Sequence, residues 1–595
     1  MPLDGLAFAA VARELRGAIT NARIQGIFQP TANELLFHLR QPGRTHRLLV
    51  CIEPSLARLH LTAAEPINPL APPPFCQLLR KHLVPGRIAE VSQPPMERVL
   101  VLTVEARDDS GSLVHLRLYI EIMGRHSNVV LTREDGTILD AMKRIAPDQN
   151  RHRELLPHRP YVPPPAQSRI DPFELDREAF SRLIRLVPAK ERPAKVLAES
   201  LAGFSPLAGR EVVARAGLSL DITREELSPT DIEALWAAFQ EVITPLQTGR
   251  FRPTALMTPT GIEFWHEPLT SVQGESRSFS SMQELLDWVY AQRAAEAEYS
   301  RIRQQLVKVV GQNLRRVARK IAAQQEELAG AQRAEEYRKM GDLLTAYLHQ
   351  IQQGQSRVEL PNFYEDNQPV AIALDPALSP AANAQSYYAK YQKARKTLAK
   401  ASEHLEASLA EQQYLESVHT ALEMSESLEE LREIEGELSR AGYLRDEEKG
   451  EGRKKPKPAS PPSSPLRLTS SDGFAILVGR NNRQNDYLTM EVARSDDLWL
   501  HAKEIPGAHV IVQTQGKEVP DTTLVEAAHV AAFFSRARES ANVPVDYTRR
   551  RHVRKPRGAR PGMVIYDHQR TLYVTPDREL LARLGVLRPQ EQRPQ

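Results

Sequence analysis

Cysteine is nearly absent from this 595-residue chain: Cys51 and Cys76 are too few for a disulfide framework or a four-cysteine zinc site. Aromatic residues are scarce as well, at 6%, and the abundance of Ala, Leu, Glu, Lys, Arg and Gln points to long helices beside ordinary globular domains. No run approaches the roughly 18 apolar residues of a membrane-spanning helix. The opening Met1-Pro2-Leu3-Asp4-Gly5 has neither the basic region nor the apolar core of a signal peptide, so a cytoplasmic chain without a membrane partner is expected. Charge excess is lacking too: 78 Lys+Arg against 75 Asp+Glu leave +3, so only the placement of charge is informative. Neither GxxxxGK[ST] nor HExxH occurs, and no cofactor or metal is expected.

What is present divides into several units, and the expected fold class is multidomain α/β plus α. Residues 1–170 read as a mixed α/β domain, with a helix over Leu6–Ala18 and strands at Arg23–Phe28, Glu34–Leu39 and Leu48–Ile52. A helical domain is expected over 171–280, within which 251–269 regain strand character and could return to the first domain. From 281 to 445 the spacing of Ile302, Leu306, Val310, Leu314, Val317 and Ile321, then Leu398, Leu405, Leu409, Leu415, Val418 and Leu422, predicts an antiparallel coiled-coil arm. Between the two runs, a helix near Gly341–Ile351 and strands at Val358–Leu360 and Val370–Leu374 predict a small tip. The charged, Pro/Ser-rich 446–465 predicts a disordered linker. An α+β domain over 466–580 follows, with strands at Phe474–Val478, Val510–Val512, Met563–Tyr566 and Thr571–Val574 and a helix at Leu524–Arg538. Residues 581–595 form a tail.

Chemistry concentrates in that last domain. Arg549, Arg550, Arg551, Arg554, Lys555, Arg557 and Arg560 fall within twelve positions that contain no acid, a density suited to phosphate neutralisation. Arg480, Asn481, Asn482, Arg483 and Asn485 add donors able to reach phosphate, ribose and base edges. The Gly203–Ala208 segment resembles a helix-hairpin-helix turn, which makes Gly203 and Ser205 candidate phosphate contacts. His501 and His509 lack further ligands at metal-binding spacing and, like Trp499, read as packing residues.

Several segments together resemble the NFACT family. They are Asp497-Leu498-Trp499-Leu500-His501-Ala502-Lys503, Ile505-Pro506-Gly507-Ala508-His509-Val510, Val478-Gly479-Arg480-Asn481-Asn482 and Lys555-Pro556-Arg557-Gly558-Ala559-Arg560-Pro561-Gly562 in the last domain. Asp4-Gly5, Phe75-Cys76 with Leu79-Arg80-Lys81-His82, and Met123-Gly124-Arg125-His126-Ser127-Asn128 agree in the first domain, as do Asn383-Ala384-Gln385, Tyr388, Tyr391 and Gly442-Tyr443-Leu444 in the arm. The resemblance spans nearly the whole chain, in the family's domain order. It implies a ribosome-associated quality control factor that binds large ribosomal subunits (rRNA and ribosomal proteins) obstructed by peptidyl-tRNA. Such factors recruit charged tRNA, here tRNA-Ala, and direct untemplated alanine tailing of stalled chains for degradation. A small S4-like RNA-binding partner of the RqcP type is implied as well. Bond formation then belongs to the ribosomal peptidyl-transferase centre, so no catalytic residue and no enzyme activity are expected. The resemblance also assigns tRNA binding to Glu97 and Arg98, in Gln93-Pro94-Pro95-Met96-Glu97-Arg98, with Glu97 where the family has aspartate. Two other functions fit less well. An adhesin, after the family's older fibronectin-binding label, would need an export signal. A glycosylase-like DNA-processing enzyme using the Pro2 amine would need a nearby glutamate and a zinc finger.

Overall fold

The computed structural model describes residues 3–108, 110–148, 153–165, 168–331, 334–444 and 463–587. Pro2 and most of the expected linker lie outside them. Contact density divides the chain into Met1–Ala294 and Ala295–Gln595.

In the first unit, Asp4 caps α1 (Gly5–Ile19), which buries Leu6, Phe8, Val11, Leu15 and Ile19 at helical spacing. That face packs on an antiparallel sheet of β1 (Arg23–Phe28), β2 (Glu34–Gln41), β3 (Arg44–Cys51), β4 (Arg58–Leu61), β5 (Arg87–Ser92), β6 (Val99–Arg107), β7 (Leu113–Glu121), β8 (Asn128–Arg133) and β9 (Ile138–Ala141). Its order is β4-β3-β2-β1-β5-β6-β7-β8-β9. Helix α2 (Pro74–Leu83) lies between β4 and β5 in sequence. The helices α3 (Arg177–Arg185), α4 (Pro193–Ser200), α5 (Pro206–Arg215) and α6 (Pro229–Thr248) follow. The expected helical domain is not separate, because Phe180, Phe204, Phe239 and Trp265 belong to the same continuous core as Phe8 and Leu15. The strands β10 (Thr254–Thr258), β11 (Gly261–Trp265) and β12 (Glu275–Ser278) make their own sheet, so 251–269 do not extend the nine-stranded one.

Helix α7 (Met282–Ala331) begins in the first unit and runs on into the second. There α8 (Ala334–Ala346), β13 (Arg357–Asn362), β14 (Gln368–Ala373), α9 (Pro380–Met424) and α10 (Leu428–Arg440) complete the arm. Tyr299 reaches Ser425, Arg303 reaches Leu422 and Arg316 reaches Glu411, which fixes α7 and α9 as antiparallel. The root is a three-helix seam, since Leu431, Ile434 and Leu438 of α10 join Leu306, Val310, Leu415 and Val418. Leu409, expected in the seam, is 40% exposed, while Ala401 and Ser408 are buried. A 3.6-residue helix drifts against a seven-residue pattern, and over 45 residues the buried stripe moves off it.

The last domain is a sheet of β15 (Leu466–Thr469), β16 (Ala475–Val478), β17 (Leu498–Ala502), β18 (Val510–Gln513), β19 (Val543–Arg549) and, after two short strands, β22 (Arg570–Val574). The two short strands, β20 (Val553–Arg554) and β21 (Ile565–Tyr566), pair only with each other. The main order is β15-β16-β18-β17-β19-β22. Side chains alternate between faces: Ile476, Leu500, Val510 and Val512 meet α12 (Asp521–Phe533), whereas Leu477, Trp499 and Ile511 meet the β20–β21 hairpin. Thus Met563–Tyr566 yields no main-sheet strand, and the helix expected to reach Arg538 stops at Phe533. The short helices α11 (Asn482–Tyr487) and α13 (Arg578–Arg583) complete the domain.

Candidate nucleic-acid interface

In the first unit, two sequence signals far apart in the chain meet at Asp4. Its Oδ1 accepts from Ala7 N at 2.8 Å, and its Oδ2 accepts from Ser205 Oγ at 2.7 Å and Trp265 Nε1 at 3.1 Å. Ser205 in turn caps α5 by accepting from Ala208 N at 3.2 Å. The anion at this helix start is therefore the protein's own carboxylate, the first helical residue is Pro206 without an N–H, and Leu207 and Ala208 are buried. This corrects the reading of Gly203 and Ser205 as phosphate contacts: the Ser205 hydroxyl is spent internally. Gly203 is needed for packing, because a Cβ on Gly5 would lie 2.3 Å from its Cα and one on Gly203 itself would meet Met96 Cε at 2.4 Å.

Met96 precedes the Glu97–Arg98 pair, which the β5–β6 connection carries to this point. Gln93 Nε2 donates to Glu97 O at 2.8 Å, and Met96 adopts a positive φ of 53°. Arg98 is half-buried and donates to Leu3 O at 3.4 Å. Burial presses its pKa down, while the charges of Asp4 and Glu97 raise it and Arg169 lowers it. Burial likewise raises the Asp4 pKa against its hydrogen bonds. The result is a half-buried guanidinium in the field of two carboxylates, with Arg169, whose Nη1 donates to Phe204 O at 3.5 Å, as a second cation nearby.

In the second unit, the basic segment spans the β20–β21 hairpin and its approach. The acids missing from its own sequence come from elsewhere. Arg549 and Arg551 share Asp496 at 3.6 and 3.2 Å, Arg554 meets Asp567 at 2.7 Å, and Lys555 meets Asp486. The arginine pairs are largely exposed and contribute little to stability, so phosphate oxygens can replace those carboxylates at small cost, whereas Asp486 is half-buried and also accepts from Gly562 N at 3.1 Å. Arg557 is exposed. Arg550 and Arg560 are differently placed. Arg550 donates to Thr489 O at 2.7 Å, and Arg560 donates to Tyr443 OH at 2.9 Å and lies 4.6 Å from the Tyr414 ring centre.

The amide-rich segment is also corrected. Arg480 pairs with Glu426 at 3.0 Å and with Glu430, and Asn481 donates to Glu433 at 2.8 Å. Asn482 donates to Ser417 at 3.0 Å and to Glu437 at 3.1 Å. Asn485 accepts from His509 N at 2.9 Å and donates to Gly507 O at 3.3 Å. Glu430, Glu433 and Glu437 on α10, with Glu426 just before it, thus take up Arg480, Asn481 and Asn482, donors that the sequence offered to RNA. The three asparagines are buried, and Arg483 is half-buried. Replacing Asn482 with alanine is expected to lower stability by about 1–3 kcal/mol, since Glu437 keeps its buried carboxylate without that donor. Urea denaturation checks this, and a loss of RNA affinity at unchanged stability would return Asn482 to the RNA surface.

Trp499 is fully buried, and His501 and His509 pack against it at 5.7 and 5.2 Å between ring centres. Burial holds His501 near pKa about 4 and His509 well below the usual histidine range, so both are neutral at pH 7. One cluster escaped the sequence reading: His552, Asp567 and His568 bring ligand atoms within 4.8 Å of one another. Their sixteen-residue separation carries no motif, and Asp567 already binds Arg554, so the geometry fits an ion-paired surface better than a metal centre.

The architecture defines a protein with a half-buried arginine near two carboxylates in one unit and an arm plus basic hairpin domain in the other. The chain belongs to the NFACT family: the model for the NFACT N-terminal and middle domains matches residues 4–457, and that for the NFACT protein RNA binding domain matches residues 465–567. It is 38% identical to the Rqc2 homolog RqcH of Bacillus subtilis, over 98% of this chain and 100% of that protein. It is 35% identical to the Rqc2 homolog RqcH of Streptococcus pneumoniae serotype 2, over 98% and 99%. Among solved structures, the C-terminal part of the fibronectin/fibrinogen-binding protein from Streptococcus suis is 32% identical. The match covers 48% of this chain and 98% of that one, with a TM-score of 0.38.

Proposed function

We propose that this chain is a ribosome quality control factor. It binds large ribosomal subunits that still hold peptidyl-tRNA, recruits charged tRNA-Ala, and directs untemplated alanine addition to the stalled chain. The single observation that carries the reading is end-to-end similarity to the Rqc2 homolog RqcH proteins, in one domain order. The exposed basic hairpin supports RNA as a partner, because its exchangeable ion pairs suit phosphate. Glu97 and Arg98 contact tRNA in this reading, with Arg98 supplying a planar, permanently charged donor. The ribosome supplies the bond-forming chemistry, and this chain positions its substrates.

Sedimentation tests the proposal. The protein is expected to travel with isolated large subunits that retain peptidyl-tRNA and to leave intact translating ribosomes unbound. Equal binding to both would contradict it. Exposure to protease on the surface of intact cells would favour the adhesin instead.

A further inference from the structure

A cavity of about 420 Å³ opens beside the basic hairpin, inside the second unit. It falls in the size range of small-ligand sites. All four family-like segments of the last domain converge on it, Asn482 of one of them lining it beside Asn485 with both side-chain amides bonded within the protein. Trp499 and His501 come from the first, the Ile505–His509 turn is the second, and Gly562 ends the fourth, continuing into Met563–Tyr566. Tyr414 and Ser417 of α9 close the remaining side. None of these cavity-lining groups has a part in the function proposed above.

The chemistry of the walls is selective. Tyr566 and His501 present ring surfaces that are half-buried, with Trp499 packed against both at 4.8 and 5.7 Å between centres. The Tyr566 hydroxyl is anchored on Asp546 at 2.9 Å, which fixes its ring. The neutral imidazole of His501 is oriented by hydrogen bonds to the backbone of Gly507 and Ala502, which leaves its ring face for stacking. The carboxylate of Glu504, which is exposed, stands along the lining and accepts hydrogen bonds only, whereas that of Glu416 also lines the cavity but pairs with Arg536 at 3.5 Å. Lys555, paired with Asp486, belongs to the same family-like segment as Gly562 of the lining, which puts the cavity next to the basic hairpin.

We propose that this cavity receives one unstacked nucleobase of single-stranded RNA, and that it favours a base bearing an exocyclic amine. The inference rests on the RNA-binding part of the reading above. Aromatic side chains take splayed-out bases by stacking, and the phosphates on either side fall to the basic hairpin. The Glu504 carboxylate accounts for the amine: cytosine offers an N–H₂ where uracil offers a carbonyl oxygen, which would face that carboxylate.

Three decamers of equal charge test this on the full-length protein: oligocytidylate, oligouridylate, and an abasic ribose-phosphate chain. Base stacking contributes a factor of roughly 5 to 150 per base, so the abasic decamer should bind at least fivefold more weakly than oligocytidylate. Oligouridylate should fall between them. Met563→Trp, which fills the cavity, should erase these differences while leaving the salt dependence of affinity unchanged. His501→Ala, which removes a wall instead of filling the space, should reduce them too and serves if the bulkier variant does not fold. Equal, tight binding of all three decamers by the wild-type protein would overturn the base pocket and leave the RNA-binding reading standing. No binding of any decamer would overturn both.

Discussion

Arg98→Ala is expected to abolish tail synthesis while co-sedimentation with obstructed large subunits stays near the wild-type level. The guanidinium has a single, long backbone bond of its own, to Leu3 O at 3.4 Å, so most of its hydrogen-bonding capacity is open to RNA. Charge-assisted hydrogen bonds contribute about 1.5–3 kcal/mol each, roughly 10- to 150-fold in binding. Asp4 keeps its three protein donors without Arg98, so the fold should survive. Glu97→Asp, which shortens the acceptor by one methylene, should be mild, and Glu97→Ala severe. A folded Arg98→Ala protein that extends stalled chains at the normal rate would remove Arg98 from the mechanism. A sharply lowered melting temperature would make the residue a structural counter-ion of Asp4 instead.

Replacing Arg549, Arg551, Arg554 and Arg557 together with alanine should weaken binding to every RNA sequence alike. Each phosphate contact on a single strand contributes about −0.7 to the slope of log affinity against log salt, so losing four should flatten that slope by about 3. Arg550 and Arg560 are left in place because they hold Thr489, Tyr443 and Tyr414. An unchanged slope would show the hairpin to be solvated without a partner, with Asp496 and Asp567 as sufficient counter-charges.

Periodic features were legible in the sequence. The α1 stripe, the opening strands and the two arm helices follow from apolar spacing alone, and the basic run is visible as composition. The misreadings share one cause, which is that side chains were judged without the partners that tertiary structure brings. Asn481, Asn482 and Arg480 look like donors awaiting RNA until α10, some fifty residues earlier, presents its carboxylates at helical spacing. Ser205 resembles a phosphate-binding turn until Asp4, 201 residues away, fills the helix start. The stripe along α10 and its approach could have been found, since Glu426, Glu430, Glu433 and Glu437 repeat at three and four residues. Nothing local could have placed Asp4 against Ser205. The meeting of Met96, just before Glu97–Arg98, with Gly203 depends on the core shared between the sheet and the helices behind it, which the sequence alone divides into separate domains.

Sequencing the RNA crosslinked to the protein in cells tests the central claim most directly. The account predicts two enriched classes, large-subunit rRNA and tRNA-Ala, with the tRNA class lost in Arg98→Ala and the rRNA class retained. Crosslinks spread over messenger RNA, or no RNA above background, would contradict it.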